Sequence, residues 1–174
     1  DDFSDSNNSY SNWGDVSPGY FENEKFYIVV PDNAGIFRYS PATIDFSQYG
    51  SDLAVVVRAT SVSTGRVGIY SRSPGNAQSN GPFYLFLIDF DLSEATIWYY
   101  DGSNWENLAT QSVTQSSSYY DLVVVCVGNS LDFYVNGENV HVNDDRLAEA
   151  GQVGLYTESA GIAIEVDDFY VGYP

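Results

Sequence analysis

Three carboxylates crowd six residues in the stretch Asp89-Phe90-Asp91-Leu92-Ser93-Glu94. A pair of such groups can cleave a glycosidic bond, one as nucleophile and one as acid and base, when they stand about 5–5.5 Å apart across it. The flanking runs Phe83–Ile88 and Ala95–Tyr100 are strand-like, however. The pattern therefore predicts a hairpin turn at Asp89, Asp91 and Glu94, from which the carboxyls splay into solvent. His141 is the only histidine and lies mid-strand in Asn139-Val140-His141-Val142, pointing out between two inward valines. No serine near it stands in a Gly-x-Ser-x-Gly elbow. Cys126, the only cysteine, sits in a valine run and reads as a small buried apolar group. A single cysteine and a single histidine exclude an intramolecular disulfide and a Cys/His zinc site.

The aromatic and arginine side chains are the other groups with chemical reach. Period-two alternation puts Trp98 and Tyr100 on one strand face, Val56, Arg58 and Thr60 on another, and Gly68, Tyr70 and Arg72 on a third. The chain has only five arginines, so arginines among apolar strand neighbours are conspicuous. Rings of this kind stack on sugar faces, and guanidinium groups bind hydroxyls and carboxylates. The competing reading is that the rings fill the core and the arginines pair with acids on adjacent strands.

The elements that must position these groups are short strands. They are predicted at Gly19–Phe21, Lys25–Val30, Gly35–Tyr39, Asp52–Ser61, Arg66–Ser71, Phe83–Ile88, Ala95–Tyr100, Trp105–Thr110 and Tyr120–Val127. Turn residues such as Ser73-Pro74-Gly75-Asn76 and Asp101-Gly102-Ser103-Asn104 separate them. Further on, Leu131–Val135 meets Asn136-Gly137, the strongest two-residue hairpin signal, because a type I′ turn needs positive φ at both central positions. Val140-His141-Val142 returns, and Gly151–Tyr156 and Ile162–Val171 close the chain as two more strands. No window shows sustained helical periodicity. Many short strands at this spacing predict an all-β, two-sheet antiparallel β-sandwich of jelly-roll type. At 174 residues the chain forms one such domain, residues 1–174, with residues 1–18 as an irregular N-terminal arm.

Twenty-four acidic residues against six basic ones give a formal net charge of −18. Such a surface disfavours nucleic acid and anionic membranes, whose phosphates need basic residues, and favours divalent cations or high salt. No apolar stretch approaches the roughly 20 residues that span a bilayer, so no membrane insertion is expected. A start at Asp1 without methionine suits a processed secreted protein or an excised domain, and an extracellular, secreted or cell-surface location.

The segments Leu131-Asp132-Phe133-Tyr134-Val135-Asn136-Gly137, Gly151-Gln152-Val153-Gly154-Leu155-Tyr156-Thr157 and Val166-Asp167-Asp168-Phe169-Tyr170-Val171, with the opening Asp1-Asp2-Phe3-Ser4-Asp5, also carry a family pattern. In this order they resemble bacterial and archaeal extracellular domains of the concanavalin A-like lectin/glucanase superfamily. Laminin-G-like jelly rolls and keto-disaccharide hydrolase-like sandwich domains are the similar members. The resemblance implies a first strand lying beside the last, with Phe3 near Phe169, and one concave, half-open sheet. On that sheet Arg58, Tyr70, Arg72, Trp98 and Tyr100 are the expected ligand-binding platform. It also implies a structural calcium. If the terminal strands pair, Asp1, Asp2, Asp5, Asp167 and Asp168 crowd one edge, and Asp2, Asp5, Asp167 and Asp168 become its expected ligands; Asn143, Asp144 and Asp145 are the second choice. Glycosidases of the superfamily place their acids as Glu-x-Asp-x-x-Glu, so Asp89 stands one methylene short in the nucleophile's place. No catalytic residue is therefore assigned. Three functions follow as expectations. The first is a non-catalytic extracellular module recognising a glycan or cell-surface polymer. The second is a self-assembling subunit, a homo-oligomer or filament. The third is a glycoside hydrolase.

Overall fold

The computed structural model describes residues 19–22, 25–29, 37–39, 52–61, 65–74, 81–114, 119–149, 151–157 and 163–174. Among them run thirteen strands and no helix: β1 Gly19–Glu22, β2 Lys25–Val29, β3 Phe37–Tyr39, β4 Leu53–Ser61, β5 Arg66–Ser73, β6 Phe83–Asp89, β7 Glu94–Tyr100, β8 Trp105–Ser112, β9 Tyr120–Val127, β10 Ser130–Val135, β11 Glu138–Asn143, β12 Gln152–Thr157 and β13 Ala163–Gly172. They form a seven-stranded sheet, β1-β2-β13-β4-β9-β10-β11, and a six-stranded sheet, β3-β12-β5-β6-β7-β8. Every pairing is antiparallel. The fold is the two-sheet β-sandwich that the alternation and turn residues predict.

Alternation places one face of each sheet in a shared core. Val55, Val57, Leu122, Val124, Leu131 and Phe133 from the larger sheet meet Ile69, Tyr84, Phe86, Ile88, Ile97 and Leu155 from the smaller one. Cys126 belongs to this core, as expected. Burial pushes its thiol up to about 11, against the opposing pull of the Arg72 charge and the Ser71 hydroxyl.

Register shifts interrupt three of the described pairings, β5 with β12, β13 with β4, and β7 with β8, and the first two reset the alternation. In β5, Tyr70 pairs with Gly154 and Ser73 with Gln152, so Ser71 and Arg72 together oppose Val153, and Arg72 takes a φ of 54°. In β13 the register shifts between Val166 and Asp168. Val166 and Phe169, three apart, therefore both face the core, while Asp168 and Tyr170 face out.

The connection from β11 to β12 is pinned across the smaller sheet. Arg146 donates to Asp144 and, at 2.6 Å, to Glu106, and its guanidinium lies 4.1 Å from the centroid of the Tyr99 ring. The Tyr84 hydroxyl accepts from the Leu147 N–H at 3.1 Å and donates to Asp144.

The β10–β11 hairpin turns at Asn136 and Gly137, whose φ values of 50° and 87° fit the type I′ requirement. Asn136 is also stapled to β9: its N–H donates to the Asp121 carbonyl and its Oδ1 accepts from the Asp121 N–H, each at 2.9 Å. Gly137→Ala puts a Cβ on left-handed backbone. It should cost about 1 kcal/mol and lower the melting temperature by roughly 2–4 °C, which a thermal scan checks.

Candidate functional site

The outer face of the six-stranded sheet is apolar, against the usual rule that such a face is solvated. All seven residues of β6 are buried. Tyr84, Phe86 and Ile88 serve the core, while Phe83, Leu85 and Leu87 form a second cluster with Tyr70, Tyr100 and Tyr156, against which Trp98 packs. Register fixes the rows. Tyr156, Gly68, Leu87 and Thr96 lie side by side across β12, β5, β6 and β7; Tyr70, Leu85 and Trp98 form the next row, and Phe83, Tyr100 and Trp105 the third. Trp105, 37% exposed, bridges the rings, with its centroid 4.7 Å from Tyr100, 5.6 Å from Phe83 and 6.3 Å from Tyr156. The Trp98 indole N–H donates to Thr96 Oγ1 at 2.8 Å, which fixes the ring.

Gly68 is the missing tooth in this face. A Cβ there would stand 2.3 Å from the Phe86 carbonyl oxygen, so the close approach of β5 to β6 admits glycine alone. Between Tyr156 and Leu87 no side chain rises, and a cavity of about 170 Å³ opens, lined by Arg66, Leu85, Leu87, Trp98, Trp105 and Tyr156. Its charged end is Arg66, whose Nε donates to Asp89 Oδ2 at 2.7 Å. Asp89 Oδ1 accepts the N–H groups of Asp91 and Leu92, each at 3.0 Å. Burial alone pushes the Asp89 carboxyl up; the Arg66 hydrogen bond, the Leu92 N–H, the Arg66 charge and the Asp91 N–H outweigh it and hold the group below the ordinary aspartate value.

The expected platform divides. Tyr70, Trp98 and Tyr100 share the groove face. Arg58 does not: β4 belongs to the other sheet. There Arg58 Nε donates to Asp121 at 3.0 Å, its Nη1 lies 3.8 Å from Asp168, and its guanidinium sits 4.8 Å from the Tyr119 ring centroid. Arg72 is turned away by the β5 bulge. It is fully buried and donates to the Leu147 carbonyl at 2.8 Å, where its charge acts on Tyr84 and Cys126. Sequence reading missed Arg66, Trp105 and Tyr156. Trp105 was within its reach, since a hairpin turn at Asp101–Asn104 sets it opposite Tyr100.

The remaining candidates have other partners. Phe90 to Ser93 form the predicted turn, with Asp91 exposed and Asp89 paired across it with Glu94. Asp89 is the corner of that turn, not a splayed carboxyl. His141 is exposed, as expected, and its Nδ1 lies 3.0 Å from Asp132 Oδ1. Of the expected calcium ligands, Asp2 and Asp5, like Phe3, lie outside the described residues. Asp168 is held by Arg58 and accepts the Tyr170 hydroxyl at 3.1 Å, and Asp167 is the bulge residue of β13. In the second cluster Asp144 is taken by Arg146 and Tyr84. Among the described residues, no three His, Cys, Asp or Glu side chains gather to hold a metal ion.

No protein-family model and no curated protein matches the sequence. Solved structures do match in fold. The carbohydrate-binding module CBM66 from Bacillus subtilis superposes with a TM-score of 0.74 at 16% identity, over 92% of this chain and 94% of that one. The exoplasmic/lumenal domain of VIP36, in its Ca2+/Man-bound form, gives 0.69 at 12% identity, over 94% and 83%. A prokaryotic β-1,3-1,4-glucanase (lichenase) derived from a mouse hindgut metagenome gives 0.60 at 15% identity, over 89% and 82%. The fold is a concanavalin A-like jelly roll. Within this jelly roll, the groove is a feature of the chain's own residues.

The Arg66–Asp89 pair makes the groove's end sensitive to acid. Because the folded carboxyl titrates below its unfolded value, the stability it supplies is present above about pH 4 and is lost as pH falls through the lower, folded value. Asp89→Asn should therefore lower the melting temperature most at neutral pH. The gap to the parent protein should narrow as the pH falls below about 4, as paired melting curves will show.

Proposed function

We propose that this chain is a non-catalytic extracellular carbohydrate-binding module that takes a sugar ring in the groove over Gly68. The observation that carries this reading is the combination of ring faces and one polar end in a single cavity. Trp98, Trp105 and Tyr156 line it with Leu85 and Leu87, and Arg66 enters it while tied to Asp89. A pyranose or furanose has the same two-sided chemistry: C–H faces for the rings and hydroxyls for a guanidinium. The names of the fold neighbours, which include a carbohydrate-binding module and a domain bound to Man, support the same direction. A net charge of −18 favours a neutral glycan over an anionic one, and the acidic composition suits a saline extracellular setting.

The non-catalytic part rests on Asp89. Its two oxygens are taken by Arg66 and by the turn N–H groups, and its cross-strand partner Glu94 stands beside an exposed turn. A displacement at an anomeric carbon needs a carboxylate with a lone pair to spare, opposed by a second carboxyl across the bond.

Screening a panel of neutral oligosaccharides and then titrating the best binder by calorimetry tests the reading. Trp105→Ala and Arg66→Ala should each weaken binding at least about tenfold, roughly 1.4 kcal/mol, while Leu92→Ala, at the exposed turn, should not. No binding across the panel, or binding indifferent to Trp105, overturns it. Calcium belongs to this proposal as a stabilising ion at the terminal acids Asp2, Asp5, Asp167 and Asp168. A melting temperature raised by calcium and lowered again by chelator is the expected result, and an unchanged one removes the ion from the account.

A further inference from the structure

The outer face of the seven-stranded sheet carries a row of side chains that reads the same in both directions. Across β13, β4, β9 and β10, register sets Tyr170 beside Val56, Val56 beside Val123, and Val123 beside Tyr134. Tyr170 is 50% and Val56 38% exposed, and Val123 and Tyr134 are half-buried. At about 4.8 Å per strand, the two tyrosines stand about 14 Å apart with the valines between them. One row toward one end lie Asp168, Arg58 and Asp121; one row toward the other lie Gly172, Ala54, Val125 and Asp132, the last held by His141 and Asn139. An aliphatic and aromatic stripe across four strands of a solvent-facing sheet is unusual, and rimmed by polar groups it marks an interaction surface.

We propose that this face binds a second copy of the chain, sheet against sheet, about a two-fold axis running along the strands between β4 and β9. That operator exchanges β4 with β9 and β13 with β10. Tyr170 then meets the partner's Tyr134, Val56 meets the partner's Val123, and Arg58 meets the partner's Asp121, each contact being made twice, as an isologous interface requires. The charge pattern selects this occupant. In a chain of net charge −18, most surfaces repel a second copy, but here a cation and an anion occupy positions that the two-fold interchanges. Arg58 already shares its guanidinium between Asp121 and Asp168 within the chain, with Tyr119 beneath it, and the two-fold sets that guanidinium over the partner's Asp121. Aligned sheet stacking within about 30° accommodates the twist. The footprint, four strands by the seven paired positions Leu53–Ala59, is about 19 by 24 Å at ordinary strand spacings, or about 900 Å² for both copies. That lies at the small end of specific interfaces, so the association is weak and concentration-dependent. It leaves the sugar groove, on the other sheet, open on both copies.

Sedimentation equilibrium from about 10 µM to about 1 mM protein, at about 0.15 M salt where repulsion is screened beyond about 8 Å, tests the face. The parent protein should show a monomer–dimer equilibrium. Arg58→Asp and Asp121→Arg should each raise its dissociation constant at least about tenfold, because each sets like charges against each other. Mixed in equal amounts, the two variants should form a heterodimer tighter than either homodimer, because each then offers the other's complement. Val56→Glu, which sets a charge in the middle of the apolar row and leaves Arg58 and Asp121 in place, carries the same test should a charge variant lose its melting transition. A parent protein monomeric to about 1 mM, a dimer indifferent to Val56→Glu, or a mixture no tighter than its components overturns the proposal. None of these outcomes bears on glycan binding.

Discussion

Burial of β6 on both faces is the constraint from which the rest of the structure follows. An antiparallel strand ordinarily divides its residues between core and water; here Tyr84, Phe86 and Ile88 fill the sandwich while Phe83, Leu85 and Leu87 carry the rings of the outer face. The strand must end on something that can leave this apolar setting, and it ends on Asp89, only 6% exposed. A buried carboxylate is costly unless it is paired and its lone pairs are filled. Arg66 on the neighbouring strand and two turn N–H groups meet that demand. The polar end of the groove is thus a consequence of terminating a doubly buried strand, and a ligand reads Arg66 in the orientation that Asp89 imposes.

Local chemistry makes the strands legible in the sequence. Asn136-Gly137 turns where its φ requirement says it must, Asp89 to Glu94 forms a hairpin corner, and Leu122, Val124 and Cys126 alternate inward as their pattern implies. Membership of a sheet is not local. Arg58 and Tyr70 sit on strands adjacent in sequence and look equivalent by alternation, yet β4 pairs with β9 and β13 while β5 pairs with β6 and β12, so the two residues face opposite sides of the sandwich. Arg72 shows a different failure of alternation. A φ of 54° at a non-glycine residue inside a strand leaves no mark in composition, and one extra residue against Val153 sends the side chain inward. Tyr156 was hidden for the first reason, because only its pairing with Gly68 places it over the groove.

The end of the sandwich beyond β5 and β6 is where buried polarity collects. Arg72 holds the Leu147 carbonyl, the Tyr84 hydroxyl bridges Asp144 and the Leu147 N–H, and Ser71 lies 3.7 Å from the Cys126 sulfur. Burial, joined by the Asp144 hydrogen bond, raises the Tyr84 hydroxyl far above the ordinary tyrosine range, so it stays a donor at any physiological pH. A network of this kind fixes where a connecting segment may lie, because a shift by one residue leaves a buried donor or acceptor unmet. The path of residues 144–147 over the smaller sheet follows from that accounting more than from apolar contact.

Scarcity of cations gives each one a definite place. Apart from Arg38, the arginines are Arg58, Arg66, Arg72 and Arg146, and they bind Asp121 with Asp168, Asp89, the Leu147 carbonyl, and Asp144 with Glu106. The lone lysine, Lys25, joins β2 to β13 through Glu165. In a chain with four acids for each base, an arginine on the surface attracts whichever carboxylates are near and is rarely wasted on solvent. Removing one does more than delete a pair, since it leaves two like charges facing each other where Arg58 or Arg146 stood between them. Two of these cations stand at outer faces of the sheets. Arg66 closes the groove on one face and Arg58 flanks the tyrosine–valine row on the other, so the positions where an acidic surface becomes locally neutral coincide with the positions where its apolar groups come to the surface. Neutral glycan and a second acidic copy are the partners such places can accept, because both require a site at which the repulsive field of the chain has been cancelled.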